Sequence, residues 1–266
     1  MLKKSRYFVV IVAVILSLLA GIAFAAGRAL SYKDVPTIAS YFFYSHVSKR
    51  EFTDELYIRT VKNFIKMLDP TKIFFMASDV EGFEGRAKAS AQELMADFKG
   101  GNMNFFVEIN KIFRQRLDER CARIDSLITE DFKPLPAKET ENLDSPEVQF
   151  SKSTEELELR LKKIISIQFE SLKTSKKTPK DIVANLKVRY HDLKKFYSGF
   201  DDQKIAGIIL KSFATGLDPH SLYFSPEELD NFNIQFKLSL EGIGATLRNE
   251  DGYTIIDSLI PGMESR

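Results

Sequence analysis

Apolar positions recur at threes and fours through most of the chain, the signature of helices that bury one face. Ile58, Val61, Phe64, Ile65 and Leu68 predict a helix over 52–68, with Thr53 or Asp54 able to cap its start and Pro70 forcing a stop. A second helical stretch runs from about Phe83 to Phe98 and breaks at Gly100-Gly101. Phe105, Ile109, Ile112, Phe113, Leu117, Cys121, Ile124 and Ile128 then form one long apolar face, with Arg114, Arg116, Asp118, Glu119, Arg120 and Arg123 mostly opposite. The periodicity disappears from Glu130 to Ser153, where Pro134, Pro136 and Pro146 mark a long surface connection. It returns over 154–172, 179–197 and 201–217; Asp201 or Asp202 caps the last of these, and the Lys-rich 173–180 stretch reads as a solvated turn.

Two segments echo each other. Leu68-Asp69-Pro70-Thr71-Lys72-Ile73-Phe74-Phe75 and Leu217-Asp218-Pro219-His220-Ser221-Leu222-Tyr223-Phe224 each follow a helix, and each leads into a polar helix start, Ser78-Asp79 and Ser225-Pro226-Glu227-Glu228. Proline ends one helix, the aromatics pin the exit, and a cap opens the next. Two copies are too few for a solenoid. After Phe232 the pattern shifts towards strand. Phe236-Lys237-Leu238-Ser239-Leu240 alternates, Gly242-Ile243-Gly244-Ala245 reads as a Gly-flanked turn, and Asn249-Glu250-Asp251-Gly252 signals a hairpin between 245–247 and 253–256. Some thirty residues with two or three strands build no core of their own, so the expectation is that more chain belongs after position 266.

Composition and charge narrow the function classes. With 44% apolar residues in 266, the chain can bury one good core or two modest ones, and 22 Phe with no Trp predict a core of Phe, Leu and Ile. Lys3, Lys4 and Arg6 precede an apolar run from about Tyr7 to Ala23 that closes on Ala23-Phe24-Ala25-Ala26, the layout of a cleavable export signal; an uncleaved membrane anchor is the alternative. Beyond that segment 35 basic residues face 37 acidic ones, which argues against nucleic-acid binding. One cysteine, Cys121, makes no internal disulfide and falls on an apolar stripe, so it reads as a core residue. His46, His191 and His220 form no metal-binding spacing; no metal and no cofactor is expected.

The Leu217-to-Glu228 segment, followed by Glu241-Gly242-Ile243-Gly244-Ala245 and Ile260-Pro261-Gly262-Met263, resembles the C-terminal processing (tail-specific) serine peptidases. The resemblance implies a mainly α architecture. Residues 1–25 would be a signal peptide, 26–235 a multi-helix N-terminal domain, and 236–266 a truncated, β-rich PDZ segment. It further implies that Gly242, Ile243 and Gly244 belong to the turn that captures a peptide's C-terminal carboxylate, where converging backbone N–H groups need clearance. The family's Ser/Lys dyad lies in a catalytic domain downstream of the PDZ domain, so the chain alone is expected to be inactive, with no catalytic residue of its own. Lys211-Ser212 is a tempting dyad, but adjacent helix positions diverge by about 100°.

Two function classes follow. One is the non-catalytic N-terminal part of an exported protease acting in periplasmic proteolysis, whose full-length relatives would recognise protein C-terminal peptides. The other is a non-enzymatic periplasmic helical interaction or regulatory module. Partners expected on either reading are a periplasmic adaptor protein or a second copy through the helical domain, with no nucleic acid, and a membrane contact only through an uncleaved N-terminal segment; a tethered structural protein is a third, weaker class. His220 reads as a turn residue beside an Asp218 that accepts backbone N–H groups. His46 and His191 read as packing or surface residues.

Overall fold

The computed structural model describes residues 29–46, 51–136, 148–173, 177–237, 245–250 and 253–259. Among them are a 3-10 turn at Tyr32–Asp34 and nine helices: α1 Val35–Ser45, α2 Asp54–Leu68, α3 Ala77–Ala89, α4 Ala91–Lys99, α5 Asn104–Leu127, α6 Thr154–Lys173, α7 Pro179–Ser198, α8 Asp202–Leu217 and α9 Pro226–Lys237. Strands β1 Ala245–Glu250 and β2 Tyr253–Leu259 form an antiparallel hairpin with a register shift between Thr246 and Leu247. The mainly helical expectation holds, and strand among the described residues is confined to this pair.

Local chemistry sets the helix starts. Thr53 Oγ1 accepts the Leu56 N–H at 3.3 Å, Thr178 accepts from Asp181 ahead of Pro179 in the first turn, and the Asp201 carboxylate accepts the Lys204 N–H at 2.8 Å. Each satisfies a donor that the first helical turn leaves open. The break after α4 falls on Gly101, which adopts φ +80, and the closest neighbour of a Cβ there would be the Lys33 Cα at 3.2 Å. Only glycine meets both conditions without strain.

Helices α2 and α8 form the central pair. Gly216 sits against Leu56 and Thr60, the Asn63 side chain donates to Ser212 O and Thr215 Oγ1, and Ser212 reaches Met67, so α8 advances as α2 retreats. The two run antiparallel and place their Leu-Asp-Pro ends at opposite poles. Phe213 of α8 is ringed by Phe42, Phe43, Phe52 and Phe98 with centroids 5.4–6.1 Å apart. A second aromatic cluster joins Phe74 and Phe75 to Phe113, Tyr197 and Phe150. The core is built of Phe, Leu and Ile as expected, and Cys121 is buried in it.

Two expectations are corrected, and one helix is added that the sequence reading left unassigned. The single helix read over 83–98 is two helices, α3 and α4, parted at Ser90 (φ −117, ψ 28), where neither Gly nor Pro flags the break. The aromatic segment around Tyr41 to Tyr44 is helix α1, opened by Pro36 in its first turn. Phe236 and Lys237, read as the start of a strand, complete α9, so the helical part passes through the boundary drawn at 235; Leu238, Ser239 and Leu240 lie outside the described residues. The 130–153 connection is described only at its ends, and these hold to the body: Phe132 packs on Phe169, the Leu135 N–H donates to Ser166 Oγ at 2.9 Å, and Ser151 is fully buried.

Candidate functional site

The echoed segments become two chemically different turns. At the first, Asp69 is fully buried and its carboxylate accepts the N–H groups of Ile73 (3.0 Å), Phe74 (2.9 Å) and Phe75 (2.9 Å). Burial pushes its pKa up, opposed by these backbone donors. Lys72, at φ 55, turns the chain; its Nζ donates to Val148 O, and its carbonyl accepts from Arg160 at 2.8 Å. The turn thereby ties down the far end of the long connection.

At the second turn Asp218 accepts the N–H groups of His220 (2.7 Å) and Ser221 (3.0 Å), the Ser221 hydroxyl (2.7 Å), and a 2.6 Å bond from His46 Nε2 at the exit of α1. The Ser221 hydroxyl, then His46 and the His220 N–H, hold this carboxyl well below its usual range. His220 therefore serves through its backbone, as expected. His46 is not merely a packing residue: it pins α1 to the end of α8, and no local sequence signal joins positions 172 residues apart. His191 pairs with Asp125 at 3.0 Å on the surface.

Beyond the turn, Ser225 and Glu228 exchange capping bonds: the Ser225 N–H donates to the carboxylate at 2.9 Å, and Ser225 Oγ accepts the Glu228 N–H at 3.3 Å. Lys211 of α8 closes onto the same Glu228. Burial raises the Glu228 pKa, but Lys211 and the cap more than reverse this and leave it low. Beside the ion pair lies a cavity of about 410 Å³ bordered by Met67, Thr215, Leu222, Phe224 and Phe232. On its other side, Leu30 and the Ser225-Pro226 step line a second cavity of about 350 Å³, so the start of the helical part lies beside the turn that opens α9.

These contacts decide the chemistry of α8. Ser212 is fully buried, with its hydroxyl donating to Ile208 O at 2.7 Å, while the Lys211 ammonium points to Glu228. They form no nucleophile–base pair. The Cys121 thiol is buried and pushed up to about 11, so it is no thiolate nucleophile. Among the described residues no group of three or more His, Cys, Asp or Glu is arranged to hold a metal, and no helix is long and apolar enough to cross a membrane. Gly242, Ile243 and Gly244 lie outside the described residues, directly before β1.

The family model of the tail specific protease N-terminal domain matches residues 38–227, from α1 to the first turn of α9. The tail-specific protease of Haemophilus influenzae is 27% identical over 218 residues, covering 82% of this chain and 31% of that relative. The carboxy-terminal processing protease CtpA of Bacillus subtilis is 35% identical over 68 residues, 25% of this chain and 15% of the relative. The chain thus spans less than a third of the length of either. With the match running through both Asp-Pro turns and the helices they join, the chain belongs to the tail-specific protease N-terminal domain family.

Proposed function

We propose that these residues are the non-catalytic N-terminal part of an exported, tail-specific serine protease that works in the periplasm. The family match over residues 38–227 carries the reading. The residues after Lys237 then open a PDZ segment. Its Gly242-Ile243-Gly244 turn takes a substrate's terminal carboxylate, and the β1–β2 hairpin that follows supports that placement. The hydrolytic Ser and Lys come from outside these 266 residues. The burial of Ser212 and the engagement of Lys211 support this, because they remove the nearest internal candidate pair. Residues 1–25 direct export, with cleavage near Ala25.

The reading is tested in two steps. Residues 1–36 are fused to a reporter enzyme that is active only outside the cytoplasm; activity and a shortened amino terminus are expected, and an inactive, full-length fusion overturns the export assignment. Residues 27–266 are then incubated with a reporter protein bearing an apolar C-terminal tail. No cleavage is expected, and cleavage that disappears in Ser212→Ala overturns the division of labour.

A further inference from the structure

An Asp-Pro linkage is unusually open to acid. The aspartate's own carboxylate can attack its main-chain carbonyl, and the proline nitrogen, part of a tertiary amide, departs readily once it takes a proton. The chain holds two such linkages, Asp69-Pro70 and Asp218-Pro219. Their fate depends on where the carboxylate lies, whether it stays ionised in acid, and whether water reaches it.

The two turns meet these conditions in opposite ways. The Asp69 carboxylate reaches forward, past its own proline, to the N–H groups of Ile73, Phe74 and Phe75. It is sealed from solvent at 0% exposure, and burial pushes its pKa up, towards the neutral acid that makes no nucleophile. The Asp218 carboxylate instead folds back over its own Asp-Pro step, because Oδ1 accepts from His220 and Ser221 N–H, only two and three residues on. The Ser221 N–H also donates to the Asp218 main-chain oxygen at 3.4 Å, the atom that gathers charge when that carbonyl is attacked. On Oδ2, the Ser221 hydroxyl at 2.7 Å and His46 Nε2 at 2.6 Å hold the carboxyl ionised in acid. The side chain is 28% exposed, and Pro219 and His220 face solvent. Around it, α1 carries no charged side chain; on α2, Asp54 accepts from Gln92, while Glu55 and Arg59 are exposed. On α9, Glu228 is engaged by Lys211 of α8, and Glu227 and Asp230 are exposed. His46 and His220 are thus the other titratable groups at the turn.

We infer that Asp218-Pro219 is a self-cleaving bond, at which mild acid parts the helices up to α8 from α9 and everything after it, while Asp69-Pro70 stays whole. In the first step an Asp218 carboxylate oxygen bonds to the Asp218 main-chain carbon. The C–N bond breaks with its electron pair on the Pro219 nitrogen, which takes a proton from solvent. The cyclic anhydride left on Asp218 then adds one water and reopens to a free aspartate, so the sum is hydrolysis of one peptide bond. The backbone donors position the attacking carboxylate, and the donors on Oδ2 keep it an anion at a pH where the departing nitrogen finds its proton. The inference stands apart from the proteolytic reading, since it needs neither export nor a hydrolytic Ser and Lys.

The test incubates the chain from neutral pH down to the lowest pH at which circular dichroism still reports the fold, beside the same chain unfolded in urea, and follows both by intact mass. Fragments ending at Asp218 and beginning at Pro219, together one water heavier than the parent, are expected. They should form about tenfold or more faster in the folded chain than in the unfolded one. The unfolded chain should be cut at both Asp-Pro linkages, the folded one at Asp218 alone, and Asp218→Ala should abolish that cut. Ser221→Ala, which takes one donor from the carboxylate, should make the rate level off at a higher pH, a shift that loss of packing alone would not give. A folded chain that yields no fragments, or yields them no faster than the unfolded one, overturns the inference. So do equal cutting at the two linkages in the folded state, cutting that survives Asp218→Ala, and a pH profile unmoved by Ser221→Ala.

Discussion

Replacing Asp69 by Ala removes one carboxylate and leaves three buried backbone N–H groups without their acceptor, at Ile73, Phe74 and Phe75. Each orphaned donor costs about 1–3 kcal/mol. Against this, the variant is relieved of burying a carboxylate, and the upward push of burial on the Asp69 pKa shows that this cost is real. Taking the middle of that range, about 2 kcal/mol for each of the three donors, and setting about half of the sum against that relief leaves a net loss of about 3 kcal/mol. For a domain of this size the loss lowers the thermal midpoint by about 6–12 °C. Asp69→Asn does little better, because its amide presents one acceptor where the native side chain uses two, Oδ1 for Ile73 and Oδ2 for Phe74 and Phe75. Urea unfolding of residues 27–266, followed by far-UV circular dichroism, measures both variants. A loss below about 1 kcal/mol for Asp69→Ala would mean that the loop finds other acceptors at no cost and would refute the cage.

Asp218 predicts an acid limb. Its folded pKa is depressed, so its contribution is present above the unfolded value of about 4 and lost as pH falls through the folded one. The gap in urea midpoint between the native chain and Asp218→Asn should therefore be widest at neutral pH and close on acidification; a gap unchanged from pH 7 to pH 2 contradicts the assignment. Asp69, whose pKa burial pushes up, works in the opposite sense and is common to both proteins. Gly101→Ala should cost about 1–2 kcal/mol, since the added Cβ meets backbone at a left-handed φ. Gly82→Ala, in helix α3 with open space around the new methyl, should gain about 0.5–1 kcal/mol. Equal signs for the two in thermal unfolding would discredit the argument. Cys121 should resist an aromatic disulfide reagent in the native state and react at once in denaturant; rapid native reaction would show that the thiol is not buried where it stands.

The long amphipathic helices were legible because their signals are local. α5, α6, α7 and α8 lie within a residue or two of the spans that apolar periodicity and capping residues predict, since Thr178, Pro179 and Asp201 act on their immediate neighbours. Ser90 shows the limit. A helix can break where packing demands it, with a backbone any residue tolerates, and composition leaves no mark there. The motif echo was visible as letters, but its two fates were not. Asp69 and Asp218 have the same neighbours in sequence, yet one is sealed in the core and the other meets His46, because burial depends on what the rest of the chain lays over each turn.

The approach of Leu30 to the start of α9 has an engineering consequence. Leu30 and Pro226 line one cavity, and the Tyr32 hydroxyl donates to Asp202 at 3.0 Å, so a short linker could span the gap between the two strands of backbone there. The bundle from Leu30 to Ser225 can then be grafted as a cassette into a surface loop of an unrelated host without prising the host's flanks apart. In its own polypeptide the same closeness means that whatever precedes Leu30 and the helix that follows Ser225 are tethered at a shared edge, where a pull on one is felt by the other.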